Sequence, residues 1–571
     1  MFLGSRSRLR AAVIAAAVGA GVLVAATPAA AAPAAGTRAY LVITAPGATS
    51  GAETAVSTNG GTVWTKYDAI GVIVAHSGAA DFASKMRTVS GVQKVGATRT
   101  SDIPAEAANP PVPAAPSQAA QPTTEPLRAD MSQIGADKAW LVNTGSRDVT
   151  VGVLDTGVDD LHPDLKPNFD TANSASCAYG KLDTRTGSWR DSDTHGTHVA
   201  GTIAAAKNGS GMVGVAPNVK IASVRIAEKP SGLFFPENTI CAMVFSGDRG
   251  FEVTNNSYYT DPWLFNCPDN ADQDAILEGV KRAVAYAEGK GVLNVAAAGN
   301  ENYNLANKSS DSTSPNDSTP AQRTVTNACL SVPTEVAGVV SVASISSTNS
   351  KSSFSNYGTD KIHIAAPGDS VYSTVPGGRF GTKSGTSMAS PHVAGVAALL
   401  KSANPTATPA QLRTLLATQA DDLNCTDSRC SGTTAKNNFF GEGRVDALAA
   451  VGGTPPGGKE FENTADVQIP DNGAAVTSSV TVSGVTGNAP ATLKVDVNIV
   501  HTYRGDLVVD LVAPDGTAYR LKGSSSDSAD NLVATYTVNA SSEVANGTWK
   551  LQVKDVAAQD VGYINSWKLT F

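Results

Sequence analysis

Two histidines stand three residues apart in the segment DTHGTHVAG, which runs from Asp193 to Gly201, in a chain with only 7 histidines. On a helix, this spacing places both imidazole rings on one face. Such a pair is typical of half of a metal site, of two residues that act together in catalysis, or of one catalytic histidine beside one that only packs. The choice depends on the other polar residues of the chain.

A zinc centre is the least favoured of these readings. Two histidines would need a third ligand and usually a glutamate base, as in the pattern HExxH. Between His195 and His198 the chain has only Gly196 and Thr197. We therefore expect no cofactor for catalysis, and we expect His198 to be a packed or hydrogen-bonded helix residue, as we do for His392.

Three other segments supply partners for a catalytic histidine. The apolar run VTVGVLDTG ends a predicted strand on Asp155, and in open α/β sheets sites form at the carboxyl ends of strands. Ser387 stands in SGTSMASPHVAG just before an apolar helix with Pro391 in its predicted first turn, and a helix N-terminus favours negative charge. The run VLNVAAAGN ends a further strand on Asn300.

Together these residues have the types that nucleophilic catalysis requires. A serine nucleophile needs a base to take its proton, and the base needs a carboxylate that orients it. Asp155, His195 and Ser387 fit these three roles, while the Asn300 amide and the Ser387 backbone N–H could donate to an oxyanion. Taken singly, each residue has a plainer reading, since Asp155 could cap a loop and Ser387 could be an ordinary N-cap.

The surrounding sequence predicts the elements that position these residues. Across residues 127–451, short apolar runs alternate with helical stretches, which predicts an α/β domain with a parallel sheet flanked by helices. Residues 37–100 predict a small α+β unit. Residues 460–571 alternate apolar and polar positions, as in LKVDVNIV and TWKLQVKD, which predicts an all-β sandwich. Proline-rich linkers are predicted at 101–126 and 452–459.

The N-terminal residues indicate export. Three arginines, the apolar run Ala11–Ala26 and a stretch of small residues predict a cleaved secretory signal at 1–32, in preference to a retained anchor. We expect a secreted, extracellular protein without a stable membrane anchor. A net charge of −8 without a Lys/Arg run argues against a nucleic-acid partner. We expect a monomer.

Six cysteines suit an oxidising compartment and form no CxxC pair. Cys425 and Cys430 bracket the short loop CTDSRC and are expected to form a disulfide bond. The pairing of the other four cysteines is left open by the sequence.

Four blocks in this order, DTGVDDLHPDL, HGTHVAG, AAAGN and GTSMASPHVAG, resemble the signatures of the subtilisin-like (S8) serine peptidases. The resemblance implies a subtilisin-like fold and hydrolysis of peptide bonds, with Asp155, His195, Ser387 and Asn300 in the catalytic roles. Residues 37–100 are similar to the family's propeptide, an intramolecular inhibitor and chaperone, and the linker 101–126 would hold the autoprocessing site. Residues 460–571 resemble the P (Homo B) domain of proprotein convertases, which implies that they pack on the catalytic domain and stabilise it.

One segment departs from the family pattern. The substrate-binding strand usually carries Ser-Leu-Gly-Gly, but this chain has NNSYYT, with Ser257 followed by Tyr258 and Tyr259. These three residues and Gly299 are the predicted substrate-binding residues. Because two tyrosines would reshape the pocket, the family's substrate preference cannot be carried over.

A calcium site is also implied by the resemblance. Asp164 and Asn208 match positions of a common calcium site of the family, and Glu125 could add a carboxylate. Calcium prefers such oxygen ligands. The alternative reading is that these are ordinary polar surface residues.

We therefore predict a secreted serine endopeptidase that acts on protein or peptide substrates through an acyl-enzyme intermediate and is made as an autoprocessed zymogen. Two rival functions stay open. The chain could be a secreted adhesion or binding protein on an inactive protease scaffold, or a processing protease with one physiological substrate rather than a general degrader.

Overall fold

The computed structural model describes residues 36–425, 427–452, 459–485 and 487–571. The predicted signal at 1–32 and most of the predicted linker 452–459 lie outside these ranges. Within the described ranges, no helix is both long and apolar enough to span a bilayer. Below, the N-terminal unit is residues 36–100, the connecting segment 101–126, the central unit 127–452 and the C-terminal unit 459–571.

The N-terminal unit is an antiparallel sheet of four strands in the order β2-β3-β1-β4, with two helices. Its strands are Arg38–Thr44 (β1), Gly61–Tyr67 (β2), Val72–Ser77 (β3) and Val92–Ala97 (β4), and its helices are Ser50–Thr58 (α1) and Phe82–Met86 (α2). Tyr40 and Val42 pack with the unit's own helices. Leu41 and Ile43, on the opposite face, pack against the central unit. Because both faces of β1 are covered, its sequence is the continuous apolar run AYLVIT rather than an alternation of apolar and polar residues.

The central unit is built around a parallel sheet of seven strands in the order β13-β12-β9-β8-β5-β7-β6. Strands of the unit are Thr150–Asp155 (β5), Ala175–Ser176 (β6), Lys220–Arg225 (β7), Val253–Asn256 (β8), Leu293–Ala297 (β9), Ser310–Asp311 (β10), Arg323–Thr324 (β11), Val340–Ile345 (β12), Ile364–Pro367 (β13), Val371–Val375 (β14) and Arg379–Lys383 (β15). Strands β10 with β11 and β14 with β15 form separate two-stranded sheets.

Helices flank this sheet. They are Ala129–Gln133 (α3), Ala136–Ala139 (α4), His195–Ala204 (α5), Pro236–Arg249 (α6), Ala271–Gly289 (α7), Thr386–Ala403 (α8), Pro409–Thr418 (α9) and Ala447–Ala450 (α10). Every residue of β5 is buried, as expected for a strand covered on both faces. The predicted α/β architecture is confirmed.

Three disulfide bonds are present, and all lie in the central unit. They join Cys177 to Cys241, Cys267 to Cys329, and Cys425 to Cys430. The last is the pair that the short loop predicted. The other two close loops of more than sixty residues each, with sequence separations of 64 and 62.

The C-terminal unit consists of two antiparallel sheets. Its strands are Glu460–Asn463 (β16), Val467–Ile469 (β17), Val476–Val482 (β18), Leu493–His501 (β19), Leu507–Val512 (β20), Ala518–Lys522 (β21), Leu532–Val538 (β22), Gly547–Asp555 (β23) and Gly562–Thr570 (β24). One sheet has the order β16-β24-β19-β22, with β17 beside β24, and the other β18-β23-β20-β21. Buried and half-buried residues alternate along all of β19, which confirms the predicted sandwich.

The connecting segment lies along the surface of the central unit. Its one regular element is a short 3₁₀ turn at Ala105–Ala108. Ala119 N donates to Gly377 O (2.8 Å), and Gly211 N donates to Thr124 O (3.0 Å).

Candidate active site

Asp155 and His195 form a hydrogen-bonded pair at the carboxyl edge of the sheet. Asp155 is the last residue of β5 and is fully buried, and His195 is the first residue of α5. His195 Nδ1 lies 2.8 Å from Asp155 Oδ1, and because a carboxylate can only accept, Nδ1 carries the proton and Nε2 is left as a base. Burial alone would lower the pKa of His195, but the neighbouring Asp155 carboxylate outweighs burial and raises it.

Ser387 is the second residue of α8, and its hydroxyl donates to Ser257 O (3.1 Å) rather than to His195. In return, Ser257 Oγ donates to the Ser387 carbonyl (2.8 Å). The Ser387 carbonyl has no donor within the helix, because that donor would be the N–H of residue 391, which is a proline. Since α8 begins at Thr386, Pro391 lies in its second turn, and the predicted place in the first turn is wrong by one turn.

Asn300 follows β9 and faces the start of α8. Its Oδ1 accepts from Thr386 N (2.8 Å) and Thr386 Oγ1 (2.9 Å). Because a backbone N–H can only donate, these bonds fix the amide orientation and leave Nδ2 as the donor that remains available. The Ser387 backbone N–H is also available, since the first N–H groups of a helix have no intrahelical acceptor.

A cavity of about 300 Å³ opens beside Ser387. The predicted substrate-binding residues Ser257, Tyr258, Tyr259 and Gly299 all line it, together with Asn300. Gly299 has φ +104°, and a side chain there would collide with Asn356, so only glycine fits.

The two tyrosines of the segment NNSYYT, which differs from the family pattern, take different positions in this cavity. Tyr258 is buried and stacks on Phe234, with ring centroids 5.0 Å apart. Tyr259 is half-buried, and its hydroxyl accepts from Asn316 Nδ2 (2.9 Å). An aromatic wall thus replaces the open glycine surface that the family pattern would give.

Sequence reasoning missed Asp261, a buried carboxylate in the wall of the same cavity. It accepts from Phe234 N (2.6 Å) and from Asn316 Nδ2 (2.6 Å). Burial raises the pKa of Asp261 to about 7, although these two hydrogen bonds oppose the rise. No motif marks the residue, because its partners lie 27 and 55 positions away.

His198 and His392, which were predicted to pack or to form hydrogen bonds, are both fully buried. His198 Nε2 lies 3.0 Å from Val371 O and 3.2 Å from Gly381 O, so its ring bridges β14 and β15. Burial lowers its pKa to about 3, which keeps the ring neutral. His392 Nδ1 bonds Met388 O (2.8 Å), and its Nε2 lies 3.1 Å from Asp130 Oδ2.

The predicted calcium ligands meet at one loop. Asn208 N donates to Glu125 Oε1 (2.9 Å), and Asn208 Nδ2 lies 3.4 Å from Asp164 Oδ1. Burial raises the pKa of Asp164, and Glu125 adds to the rise, so a cation at this loop would relieve both costs. The two carboxylates are hard oxygen donors that fit Ca²⁺. The Asn208 amide would have to turn to present its oxygen, because its Nδ2 faces Asp164 and its Oδ1 accepts from Ser210 N (3.0 Å), and backbone carbonyls would have to complete the shell. Within the described ranges, no cluster of three or more His, Cys, Asp or Glu side chains is placed to hold a metal.

The central unit combines a parallel sheet flanked by helices with an Asp–His pair, a serine at a helix N-terminus and an amide beside it. These features define a subtilisin-like domain, and the antiparallel sandwich that follows is a second, all-β domain. Family comparison agrees on both parts. The model of the subtilase family matches residues 146–443, more than half of the 571 residues, and the proprotein convertase P-domain model matches residues 490–571. The chain belongs to the subtilase family.

Individual relatives differ in how much of the chain they share. An extracellular basic protease of Dichelobacter nodosus is 30% identical over 503 residues, which covers 77% of this chain and 75% of that protein. Leupeptin-inactivating enzyme 1 of Streptomyces exfoliatus is 60% identical over 184 residues, but these are 31% of this chain, which spans only 42% of that relative.

Among solved structures, the epidermin leader peptide processing serine protease of Staphylococcus aureus aligns with a TM-score of 0.57. The alignment covers 73% of this chain and 98% of that one at 20% identity, so the likeness is one of fold.

Proposed function

We propose that the protein is a secreted serine endopeptidase that cleaves protein or peptide substrates through an acyl-enzyme intermediate. The observation that carries the proposal is the 2.8 Å bond from His195 Nδ1 to the buried Asp155 carboxylate. This bond leaves Nε2 as a base at the edge of the sheet where Ser387 lies in the first turn of α8. This is the arrangement by which an imidazole is held in one tautomer for general-base catalysis.

In the proposed mechanism, Ser387 attacks the scissile carbonyl while His195 takes the hydroxyl proton and later gives it to the leaving amine. Attack requires the Ser387 hydroxyl to turn from Ser257 O towards His195 Nε2. Asn300 Nδ2 and the Ser387 N–H hold the oxyanion, and water then releases the acyl group in the same way. Because the base must be neutral, activity should rise with pH as His195 loses its proton, and Asp155 moves that rise upward.

Export and zymogen processing belong to the same proposal. Support for export comes from the predicted signal at 1–32 and from the relative named as an extracellular protease. Support for a chaperone role of the N-terminal unit comes from Leu41 and Ile43, which complete a hydrophobic core with α6 and α7. We propose that the autoprocessing site lies in the connecting segment and that the N-terminal unit inhibits the enzyme until this segment is cleaved.

The test is labelling with a fluorophosphonate probe, which reacts only with an activated serine. We expect one adduct on Ser387, which His195→Ala abolishes because the hydroxyl loses its base. Ser384→Ala is the matched control: Ser384 is an exposed serine three residues earlier whose hydroxyl bonds Asp369, so this variant should label like the parent. A processed, folded protein that takes no label would favour the rival reading of an inactive scaffold.

A structural Ca²⁺ ion is proposed at Asp164, Asn208 and Glu125. If the ion binds there, added calcium raises Tm because it binds only the folded state. Asp164→Asn should remove the calcium-dependent rise and leave the Tm without calcium nearly unchanged. An equal rise in parent and variant would refute the site.

A further inference from the structure

Arg99, at the end of the N-terminal unit, inserts its guanidinium group between two glutamates of the central unit. Its Nη1 and Nη2 donate to the two carboxylate oxygens of Glu228 (2.9 and 2.7 Å). Nη2 also bonds Glu237 Oε1. The guanidinium carbon lies 3.7 Å from the centre of the Phe235 ring, so the group is held both edgewise by carboxylates and from one face by an aromatic ring.

This cluster is buried and still has acceptor capacity. The side chains of Arg99, Glu228 and Glu237 are 2%, 1% and 1% exposed. Glu237 Oε2 is buried and has no hydrogen-bond partner within the described part of the chain. A buried carboxylate pair of this kind is stable only with a cation between its members.

The parts that hold the guanidinium group all belong to the central unit. Asn238 Nδ2 donates to Glu228 Oε1 (3.1 Å) and to Ile226 O (2.9 Å), which fixes that carboxylate independently of Arg99. Glu237 and Asn238 are part of α6, and Phe235 is its N-cap residue. After release of the N-terminal unit, Asn238 still holds Glu228 and Glu237 stays on α6, so both carboxylates border the vacated space without a cation.

That pocket adjoins the cavity at Ser387. Arg99, Glu228 and Phe235 line a cavity of about 340 Å³, and two of its other wall residues are Leu233 and Asn316. The same Leu233 and Asn316 also line the cavity that contains Ser387. The two cavities therefore share part of their walls, which places Glu228 beside the cavity that contains Ser387.

We propose that Glu228, Glu237 and Phe235 form a subsite for an arginine side chain of the substrate once the N-terminal unit is released. Arg99 occupies this subsite in the intact chain and so shows the ligand chemistry directly. The proposal rests on the proposed peptidase function, including release of the N-terminal unit. Two experiments separate its failure from a failure of that function.

The first experiment uses the processed enzyme and pairs of fluorogenic peptides. The two peptides of a pair differ only in carrying arginine or citrulline at one position, and successive pairs place this residue at successive positions of the peptide. Citrulline keeps the shape but has no charge. We expect one position where the arginine peptide has a kcat/KM about 10-fold higher, the size expected for a bidentate charged pair at a partly open site. Glu237→Gln should remove that preference, whereas Glu288→Gln, a change in the Arg413 ion pair, should keep it.

Equal cleavage of both peptides at every position by an active enzyme would overturn the subsite alone. No cleavage of any peptide would instead count against the peptidase function.

The second experiment needs no turnover. In the full chain with Ser387→Ala and Arg99→Ala, the subsite is empty and the chain stays unprocessed. Calorimetry should then detect binding of ethylguanidinium, which fits the space that the Arg99 side chain leaves, but not of the uncharged ethylurea, and adding Glu237→Gln should abolish this binding. Equal behaviour of the two compounds in the folded chain would overturn the proposal; if Arg99→Ala prevents folding, the peptide pairs decide.

Discussion

The N-terminal and C-terminal units both flank the central unit, but they complete their cores in different ways. Leu41, Ile43 and Val74 of the N-terminal unit belong to one buried cluster with Ile240 of α6 and Ile276 of α7. The buried core of the C-terminal unit is made from residues between 469 and 571. One unit therefore shares a core with the catalytic domain, and the other closes a core of its own.

The difference follows from the number of apolar faces each unit must cover. The N-terminal sheet has two apolar faces but helices of its own on only one, so α6 and α7 must cover the other. In the C-terminal unit two sheets cover each other, and Trp567 Nε1 donates to Ser478 Oγ (3.0 Å) from one sheet to the other. Coupled folding is thus expected for the N-terminal unit and independent folding for the C-terminal one.

The largest expected effect should stay inside the C-terminal unit. Trp567 is 1% exposed, and Trp567→Ala should destabilise this unit by about 3–5 kcal/mol through the cavity it leaves. Calorimetry of the full chain should show a lower C-terminal transition and an unchanged transition of the central unit. Val533→Ala, at a residue that is 75% exposed, is the control and should change neither.

This variant also tests what the family resemblance implied, namely that the C-terminal unit stabilises the catalytic domain. If the central transition fell together with the C-terminal one, that implication would be right and the contrast between the two units would fail.

A smaller effect is expected where the N-terminal unit docks on α7. A side chain at Gly279 would approach Leu41 Cδ1 and Ile240 Cδ1 to 2.9 Å each. Gly279→Val should therefore weaken docking by about 1–3 kcal/mol, as overpacking does, and lower the Tm of the unprocessed Ser387→Ala chain. It should also lower the yield of processed enzyme in the otherwise unaltered chain.

Gly289 provides the matched control on the same helix. Within the described ranges, no atom apart from the adjoining residues and backbone of α7 lies within 4 Å of a Cβ placed there, so Gly289→Val tests valine in α7 without the contact. Equal loss in both variants would mean that helix propensity, not docking, is responsible.

The smallest effect is expected from the ion pair at the rim of this interface. Arg87 Nη2 lies 2.9 Å from Asp272 Oδ1, and the two side chains are 37% and 43% exposed. Solvent screening limits Asp272→Asn to less than about 1 kcal/mol, and the difference from the parent should shrink in high salt. The control Asp81→Asn removes the exposed Lys85 pair inside the N-terminal unit and should not affect docking. A loss of several kcal/mol would show that the apolar faces do not dominate docking.

The sequence predicted the fold class well because the elements have clear periods. Apolar runs such as VTVGVLDTG predicted buried parallel strands, and the alternation in LKVDVNIV predicted a half-buried one; both are observed. The ends of these strands then placed Asp155 and Asn300 at one edge of the sheet, where the structure also has them.

What the sequence could not supply were contacts between distant residues with no shared period. Arg99 meets Glu228 and Glu237 across 129 and 138 positions, and no spacing marks such a triad. The Asn300 amide orientation depends on Thr386, 86 residues away. Four cysteines allow several pairings, so Cys177–Cys241 and Cys267–Cys329 required the structure as well.

The most direct test of the account compares the two histidines of DTHGTHVAG by their effect on autoprocessing. His195 Nδ1 bonds the buried Asp155, whereas His198 Nε2 bonds backbone carbonyls of β14 and β15. We predict that mass spectrometry of the purified proteins will find the connecting segment uncut in His195→Ala. In folded His198→Ala, the segment should be cut as in the parent. A cut His195→Ala chain, or equal loss of cutting in two well-folded variants, would contradict the assignment of His195 as the general base.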